Sequence, residues 1–418
     1  MKKSVITALS CLYLSGSGFA REQQSSSVEQ PEKKDKTQEL AISKQKLNLS
    51  GYVQTQFQWG EEDASLKVGT ENENPGEPFS RIGIRRGRMK FAYDESYTSA
   101  VFQFDLTEKG VALRDAYMNV KDPWFKTSAL TAGVFYRPFG NEIDYSSSRR
   151  ESPERSAVFR TLFPEERDLG AMVLLQAPAT SPLNFLKLKA GLFAGNGIKQ
   201  ETDSHKDFIG HLSASKNLKN VQLEVGASYY NGGVYQGSEN IYTMTGKGFI
   251  HNSAGSNRGK FAKREYIGFN GQFMLKSGIG PTQLRAEYLF GSQPGKDSDS
   301  NSPNASSLPA HDTYIRNFNG GYIIYVQHFG NSPFAAVLKY DWYDPNTKIS
   351  GNDIGTNNTH EGDIAQNTFG FGILWHINDG LRLQAYYEMN RNEKTSNLAA
   401  YANDRKDDVF TLRLQYKF

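Results

Sequence analysis

Apolar and polar side chains alternate in the final segment of the chain, D-D-V-F-T-L-R-L-Q-Y-K-F from Asp407 to Phe418. Every second residue is apolar: Phe410, Leu412, Leu414, Tyr416 and Phe418. Successive side chains of a β-strand point to opposite faces, so the pattern predicts a strand with one apolar and one polar face. The same pattern recurs along most of the chain, and it therefore constrains the fold more than any other feature.

Sixteen segments follow this alternation and predict sixteen strands, near 47–59, 80–93, 98–106, 111–121, 128–136, 168–177, 184–195, 206–215, 220–230, 262–275, 280–292, 317–330, 333–344, 366–378, 380–390 and 407–418. Their connections are alternately short and long. The long ones are polar and lie near 60–79, 137–167, 231–261, 293–316, 345–365 and 391–406, with two shorter ones at 107–110 and 196–205. Residues 47–418 are therefore predicted to form an all-β fold, a 16-stranded antiparallel transmembrane β-barrel with short periplasmic turns and long extracellular loops.

Alternation alone does not decide which face of the sheet meets lipid, because a soluble β-sandwich also alternates and keeps its apolar face inside. Bulky apolar side chains occupy one face of nearly all sixteen segments, which favours a lipid-facing surface. A closed sheet of sixteen strands is also too wide for one layer of side chains to fill, so its lumen is expected to hold water. The chain contains no apolar stretch of roughly 18 residues, which excludes a transmembrane helix.

The N-terminal region predicts export. Residues 1–20 resemble a secretory signal peptide, with a lysine pair, a short apolar core and small residues before cleavage after Ala20. Residues 21–46 are polar and rich in Gln, Ser, Glu and Lys, which predicts a flexible periplasmic N-terminal tail. The single cysteine, Cys11, lies in the predicted signal peptide, so no disulfide is expected in the mature chain. A formal net charge of +3 gives no global basicity that would indicate nucleic acid as a partner.

In the second segment, 80–93, one face carries three cations and the other face three apolar residues. The cations are Arg86, Arg88 and Lys90, and we predict that they face the lumen. The opposite register would place three cations in hydrocarbon, at about 2–4 kcal/mol each near the midplane. Strict alternation puts the neighbouring Arg85 on the lipid face, so it must lie near the outer rim or a β-bulge must reset the alternation.

The same alternation predicts further charges in the lumen. In the seventh strand the leucines point outward, so Lys187 and Lys189 point inward. Other predicted lumenal cations are Arg285, Lys339, Arg382 and Arg413, and predicted lumenal acids are Asp105, Asp115, Glu224, Glu287, Asp341 and Glu388. The predicted wall is therefore mixed, and an ordinary hydrated wall with salt bridges is the alternative to a selective one.

The segment 137–167 is a candidate constriction loop, because loops of about thirty residues in compact folds usually carry function. It contains six arginines, Arg137, Arg149, Arg150, Arg155, Arg160 and Arg167, and six acids, Glu142, Asp144, Glu151, Glu154, Glu165 and Glu166. Guanidinium groups bind phosphate through two parallel charge-assisted hydrogen bonds, and rings of Arg or Lys are the expected filter for anions. The alternative is a solvated surface loop with paired charges.

Several segments resemble the phosphate-selective porin O and P family. They include R-R-G-R-M-K-F (85–91), R-D-A-Y-M-N-V (114–120), A-G-V-F-Y-R-P-F-G (132–140), R-D-L-G (167–170), G-L-F-A-G-N-G (191–197), V-G-A-S-Y-Y-N-G (225–232), A-E-Y-L-F-G (286–291), G-G-Y-I-I-Y-V-Q (320–327) and K-Y-D-W-Y-D-P-N (339–346). The resemblance implies a sixteen-stranded barrel in the outer membrane of a Gram-negative bacterium, usually trimeric, with arginines lining its channel.

The function predicted is therefore passive diffusion of small anions, phosphate or related oligoanions, through a lumen lined by Arg and Lys. A general porin for small polar solutes is the alternative within the same class, and a structural or adhesion barrel acting through its outer loops is another. His211 and Ser213 share a face and could mark a nucleophile and its base, but no third member stands out, so no enzyme is predicted. The histidines form no short ligand spacing, so neither a metal nor a cofactor is predicted.

Overall fold

The computed structural model of the protein describes residues 46–418. The predicted signal peptide and all but the last residue of the predicted tail lie outside these residues. The strands are β1 (Leu47–Gly60), β2 (Phe79–Glu95), β3 (Thr98–Thr107), β4 (Gly110–Lys121), β5 (Ala129–Tyr136), β6 (Arg167–Gln176), β7 (Leu186–Phe193), β8 (Asp207–Asn217), β9 (Val221–Tyr235), β10 (Asn240–Thr245), β11 (Gly248–Ser253), β12 (Phe261–Ser277), β13 (Gly280–Gly295), β14 (Thr313–His328), β15 (Phe334–Asp344), β16 (Gln366–His376), β17 (Leu381–Asn392) and β18 (Val409–Lys417). One short α-helix, α1 (Ala157–Leu162), interrupts them, and 3-10 turns lie at Gly255–Asn257, Gly351–Asp353, Glu361–Asp363 and Ala399–Tyr401.

Sixteen of these strands form one closed antiparallel barrel. Strands β1 to β9 pair in chain order, β9 pairs with β12, and β12 to β18 continue in order. Strand β18 pairs with β1 from Tyr52–Lys417 to Gly60–Val409, which closes the sheet. The predicted sixteen-stranded barrel is confirmed, and closure leaves the barrel without an edge strand whose backbone groups would be unpaired.

The barrel carries its apolar residues outside and many of its polar residues inside, the reverse of a soluble β-sandwich. In β18, Leu412, Leu414 and Tyr416 are 37%, 43% and 55% exposed, whereas the intervening Arg413 and Gln415 are buried. Other large exposed apolar side chains, such as Leu338 and Phe371, continue this outer surface around the sheet. Among residues 46–418, no helix is long and apolar enough to cross a lipid bilayer.

Strands β10 and β11 form a hairpin within the segment 231–261, which the sequence predicts as a loop. The hairpin adds a short parallel pairing to the outer end of β14. Its apolar side chains pack with those of other outer segments in one cluster: Met244, Phe249, Tyr314, Ile349, Ile354 and Ile364. In the sequence, the hairpin corresponds to two six-residue runs on either side of the turn Gly246-Lys247. Each run is too short to be distinguished from a loop by periodicity alone.

The wall of the barrel differs in height around its circumference. Strands β5 and β7 have eight residues each, and only two residues join β3 to β4. Strands β12, β13 and β14 have 17, 16 and 16 residues. The long connection between β5 and β6 therefore starts from the low side of the barrel.

Candidate functional site

The connection between β5 and β6, residues 137–166, contacts strands around most of the barrel; we call it the inserted loop. On β1, the hydroxyl of Tyr52 and the amide of Gln54 contact Ser147 at 2.5 and 3.0 Å. On β17, Arg382 donates to the carbonyls of Arg149 and Arg150 at 3.3 and 3.1 Å. A segment that leaves β5 and reaches both strands must cross the interior of the barrel.

Glu287 on β13 stabilises the start of the inserted loop. Its carboxylate accepts the backbone N–H groups of Asn141 and Glu142 at 3.0 and 2.6 Å, and the hydroxyl of Tyr322 at 2.7 Å. The loop reaches this carboxylate through Gly140, whose φ is +62°. A Cβ at Gly140 would lie 1.9 Å from Glu287 Oε2, so this approach requires glycine.

Aromatic packing holds the second half of the loop against the high side of the barrel. The ring centroid of Phe159 in α1 lies 6.2 Å from that of Tyr322, and the ring of Phe163 lies 5.6 Å from that of Tyr266. The first helical N–H, that of Ala157, donates to Asp341 Oδ1 at 3.0 Å. On this side, apolar side chains therefore fill part of the lumen that was expected to hold water.

The other side of the inserted loop faces a cavity of about 230 Å³, which we call the arginine cavity. Its lining residues are Arg85, Arg86, Arg88, Arg114, Glu154, Arg155, Phe159, Arg160, Phe163, Pro164, Glu165 and Glu166. Six arginines and three glutamates leave the lining with a net positive charge of three. The arginines come from both the barrel wall and the loop.

Two of the wall arginines reach the cavity because β-bulges reset the alternation of their strands. In the pairing of β1 with β2, Gln54 faces Arg86 and Thr55 faces Ile84, so Arg85 is the extra residue. In the pairing of β3 with β4 the extra residue is Arg114, by the same kind of shift. Bulges re-aim side chains and are common beside functional sites. Of the two explanations offered for Arg85, the structure therefore shows the bulge.

Glu154 on the inserted loop is bonded by three arginines. Arg85 donates two parallel hydrogen bonds to it, both at 2.8 Å, Arg86 donates one at 2.9 Å, and Arg413 of β18 donates one at 3.1 Å. These charges hold the pKa of Glu154 well below its ordinary value, against the opposing effect of burial. Glu154 therefore stays ionised, and its oxygens are occupied by the protein.

The other arginines of the cavity differ in how closely they are paired. Arg114 donates to Glu165 at 3.0 Å, and Arg155 forms an ion pair with Glu166. Among residues 46–418, the carboxylate partner of Arg88 is Asp105, at the longer distance of 3.6 Å. Arg160 is exposed to the cavity and donates to the carbonyl of Arg155 at 2.8 Å. Within residues 46–418, no carboxylate lies within 4.0 Å of Arg160.

The ten cations predicted to bind anions occupy several different places. Four of them line the arginine cavity: Arg86, Arg88, Arg155 and Arg160. Arg150 lines a smaller cavity on the wall side of the loop. Arg137 is buried beneath the loop, where its guanidinium lies 5.2 Å from the ring of Phe163, and Arg149 is exposed.

The predicted lysines lie nearer the ends of their strands that meet short connections. Lys90 on β2 and Lys187 on β7 are half-buried. Lys189 forms an ion pair with Asp144 of the inserted loop at 3.1 Å. Their roles in binding anions stay predictions.

The sequence prediction missed Arg85 and Arg114 as cavity residues. A signal exists for both, because each has a charged neighbour, Arg86 and Asp115, and two successive charges break the alternation of a strand. Elsewhere, the lumenal positions that were assigned from the alternation of side chains alone agree with the structure. Arg285, Lys339, Arg382 and Arg413 are all buried.

No alternative chemistry gathers in the part of the chain that the structure describes. No group of three or more His, Cys, Asp or Glu side chains there could hold a metal ion. The ring of His211, considered as a possible base, is hydrogen-bonded to Asn270 Oδ1 at 3.1 Å.

Comparison with known proteins gives a family and a fold. The model of the family phosphate-selective porin O and P matches residues 52–418. No curated protein matches the chain. Among solved structures, the chain is similar to an anion-selective porin from Comamonas acidovorans, with a TM-score of 0.54 and 11% identity over 89% of this chain and 99% of that one.

Two other solved barrels are similar to the same extent. OprB of Pseudomonas putida gives a TM-score of 0.55 at 10% identity, over 91% of this chain and 96% of that one. The trimer form of OmpT of Vibrio cholerae gives 0.52 at 12% identity, over 89% and 99%. At such low identity these likenesses show the fold alone.

Proposed function

The chain belongs to the phosphate-selective porin O and P family, and on this premise we propose that small anions, phosphate-like oxyanions among them, cross the barrel by passive diffusion through the arginine cavity. The protein is an outer-membrane porin of a Gram-negative bacterium, a channel rather than an enzyme. Its preference for anions, its choice among them and the residues responsible are what we add by proposal.

The observation that carries the proposal is the composition of the arginine cavity. Six guanidinium groups and three carboxylates surround about 230 Å³. A cleft lined by an excess of one charge raises the local concentration of ions of the opposite sign, and rings of Arg favour anions. The planar fork of a guanidinium also matches the oxygens of phosphate better than it matches a monatomic ion.

The acids of the cavity do not cancel this preference, because their oxygens already accept hydrogen bonds from arginines of the protein. Glu154 accepts four hydrogen bonds from three arginines, and Glu166 is shared between Arg155 and Arg167. Arg88 and Arg160 are the two arginines whose donors are least occupied. We propose that a permeating anion exchanges its water for these two groups.

The inserted loop is the proposed constriction, since it crosses the lumen and forms one side of the cavity. We also propose a homotrimer, with outer-membrane lipid against the exposed apolar surface of the barrel. The low side of the wall, around the short strands β5 and β7, suits contact between protomers. The mass of the complex in mild detergent tests this assembly, and a monomer would contradict it.

The alternative is a general porin for small polar solutes, which the paired acids of the lumen would permit. The purified full-length protein in planar bilayers separates the two. In a potassium chloride gradient, we expect a reversal potential whose sign shows that chloride permeates more readily than potassium. We also expect millimolar phosphate to reduce the chloride current. A cation preference would overturn the anion proposal, whereas equal current with and without phosphate would remove only the phosphate preference.

A further inference from the structure

A second, smaller cavity lies on the wall side of the inserted loop, against β12 to β15. Its volume is about 20 Å³. Arg150, Arg285, Lys339, Glu142 and Tyr322 are among its lining residues. A cavity needs roughly 10–15 Å³ to hold one water molecule, so this one has room for a single species of about that size.

Three cations line this cavity, and two of them have acid partners. Arg285 forms an ion pair with Glu151. The ammonium of Lys339 lies 3.3 Å from Asp341 and 3.6 Å from Glu142. Both side chains therefore have carboxylate partners at salt-bridge distance.

Arg150 is the third cation, and among residues 46–418 its guanidinium has no such partner. Only 3% of the residue is exposed, yet none of its three guanidinium nitrogens has a hydrogen-bond partner among residues 46–418. No carboxylate of the same range lies within 4.0 Å of it. Burial and the nearby charges of Arg155 and Arg86 lower the pKa of Arg150, and they outweigh the opposing effect of Glu154 and Glu142. Buried donors are almost always satisfied, and an unpaired buried charge is strongly destabilising.

We propose that this cavity binds one small monovalent anion, such as chloride, which accepts the unpaired guanidinium hydrogen bonds of Arg150 and stays bound as part of the folded inserted loop. The volume excludes phosphate and other polyatomic oxyanions. The site therefore differs from the arginine cavity in size and in purpose, because a fixed ion stabilises the loop whatever the barrel transports. The inference does not rest on the proposed function.

Thermal unfolding of the full-length protein in detergent tests the site. The midpoint is compared in sodium chloride, sodium bromide and sodium gluconate at equal ionic strength, since gluconate is too large for the cavity. We expect the midpoint to rise with halide, by on the order of 2 °C for each tenfold increase above the dissociation constant. Equal midpoints in chloride and gluconate would overturn the proposal.

Variants locate the effect. Arg150→Met keeps an unbranched apolar stem but removes the guanidinium, and it should remove the dependence on halide. Arg160→Met, in the arginine cavity, should retain it. The reverse result, in which Arg160→Met alone loses the dependence, would assign the halide to the arginine cavity and overturn the site at Arg150.

Crystals of the native protein grown in bromide keep the proposal testable even if Arg150→Met fails to fold. An anomalous scattering peak beside the guanidinium of Arg150 is expected. A cavity that shows only water there would contradict the inference.

Discussion

The two sides of the inserted loop meet two different walls and use their charges differently. On the side of the high wall, carboxylates of the barrel bind the backbone of the loop: Glu287 accepts from Asn141 and Glu142, and Asp341 accepts from Ala157. On the side of β2 and β4, arginines outnumber glutamates around an open cavity. A single loop with five arginines and six acids is thus divided into a surface that fixes its position and a surface that meets solutes.

The largest effect is expected where the loop is attached, at Glu287. Glu287→Leu leaves three donors without an acceptor, and for the two buried ones, the N–H of Glu142 and the hydroxyl of Tyr322, the cost is about 1–3 kcal/mol each. We expect the loop to detach, which should raise the single-channel conductance and open the loop to added protease. Glu265→Leu is the control, since Glu265 on the neighbouring β12 contacts Lys263 and Tyr229 instead. A protease-resistant loop and an unchanged conductance in Glu287→Leu would show that attachment lies elsewhere.

The second effect concerns Glu154, which lines the arginine cavity and also binds the loop to β2 and β18. Glu154→Gln keeps the shape but removes the charge that Arg85, Arg86 and Arg413 share. Breaking a buried ion pair costs about 3–5 kcal/mol, so the unfolding midpoint should fall while anion preference rises. Glu165→Gln, whose side chain is more exposed, should change both less.

The pH dependence of the same acid follows from its lowered pKa. The stabilising contribution of Glu154 is fully present above about pH 4.5, its ordinary pKa, and is lost only as the pH falls toward the lower pKa of the folded state. The difference in stability between the native protein and Glu154→Gln should therefore be constant from pH 7 to pH 5. A difference that already declines across that range would contradict the pairing.

The third effect is on selectivity without a change in stability. Arg160→Glu reverses a charge on the open surface without breaking an ion pair. One unit of charge at about 4 Å in water is worth about 1 kcal/mol, and this variant changes the charge by two units, so the anion-to-cation permeability ratio should fall by at least about fivefold. Arg258→Glu, on an exposed outer turn, is the control with the same charge change. If both variants shift the reversal potential equally, the preference belongs to the whole surface rather than to the cavity.

The smallest expected effect is a change of anion preference with pH, caused by the titration of Lys67 near the arginine cavity. Burial and the neighbouring charge of Arg160 lower the pKa of Lys67 to about 8. Lys67 is thus positive below pH 8 and loses its charge above it, so anion preference should weaken modestly between pH 7 and pH 9. Lys67→Arg should abolish this step and keep the preference high, and Lys67→Gln should abolish it at a lower level. A step that persists in Lys67→Arg would belong to another group.

Strand positions could be predicted closely because one apolar residue in two is a strong, repeated signal. The predicted strands at 98–106 and 111–121 lie within one residue of β3 and β4 at each end. The main omission, the hairpin of β10 and β11, lies outside the barrel wall, where packing with other loops decides the structure. Periodicity reports which face a residue takes in a regular strand, but it carries no information about contacts between distant loops.

The candidate site shows the same limit at the level of single residues. The alternation of side chains placed Arg86 and Arg88 correctly in the interior. It could not place Arg85 and Arg114, because each lies at a β-bulge. The sequence also presented Arg150 and Arg155 as equivalent members of one loop. In the structure they line different cavities, one with room for a single ion and the other for a larger solute.

The sequence by itself determined the class of the protein, because the period of two, the bulky apolar residues on one face of nearly all sixteen segments and the alternately short and long connections together favour a closed sheet with an apolar outer surface. It also determined that the interior is rich in arginine. Only the tertiary structure decided which arginines keep free donors. That depends on which carboxylates the inserted loop brings within hydrogen-bonding distance, and the path of a thirty-residue loop is set by long-range contacts such as that of Gly140 with Glu287.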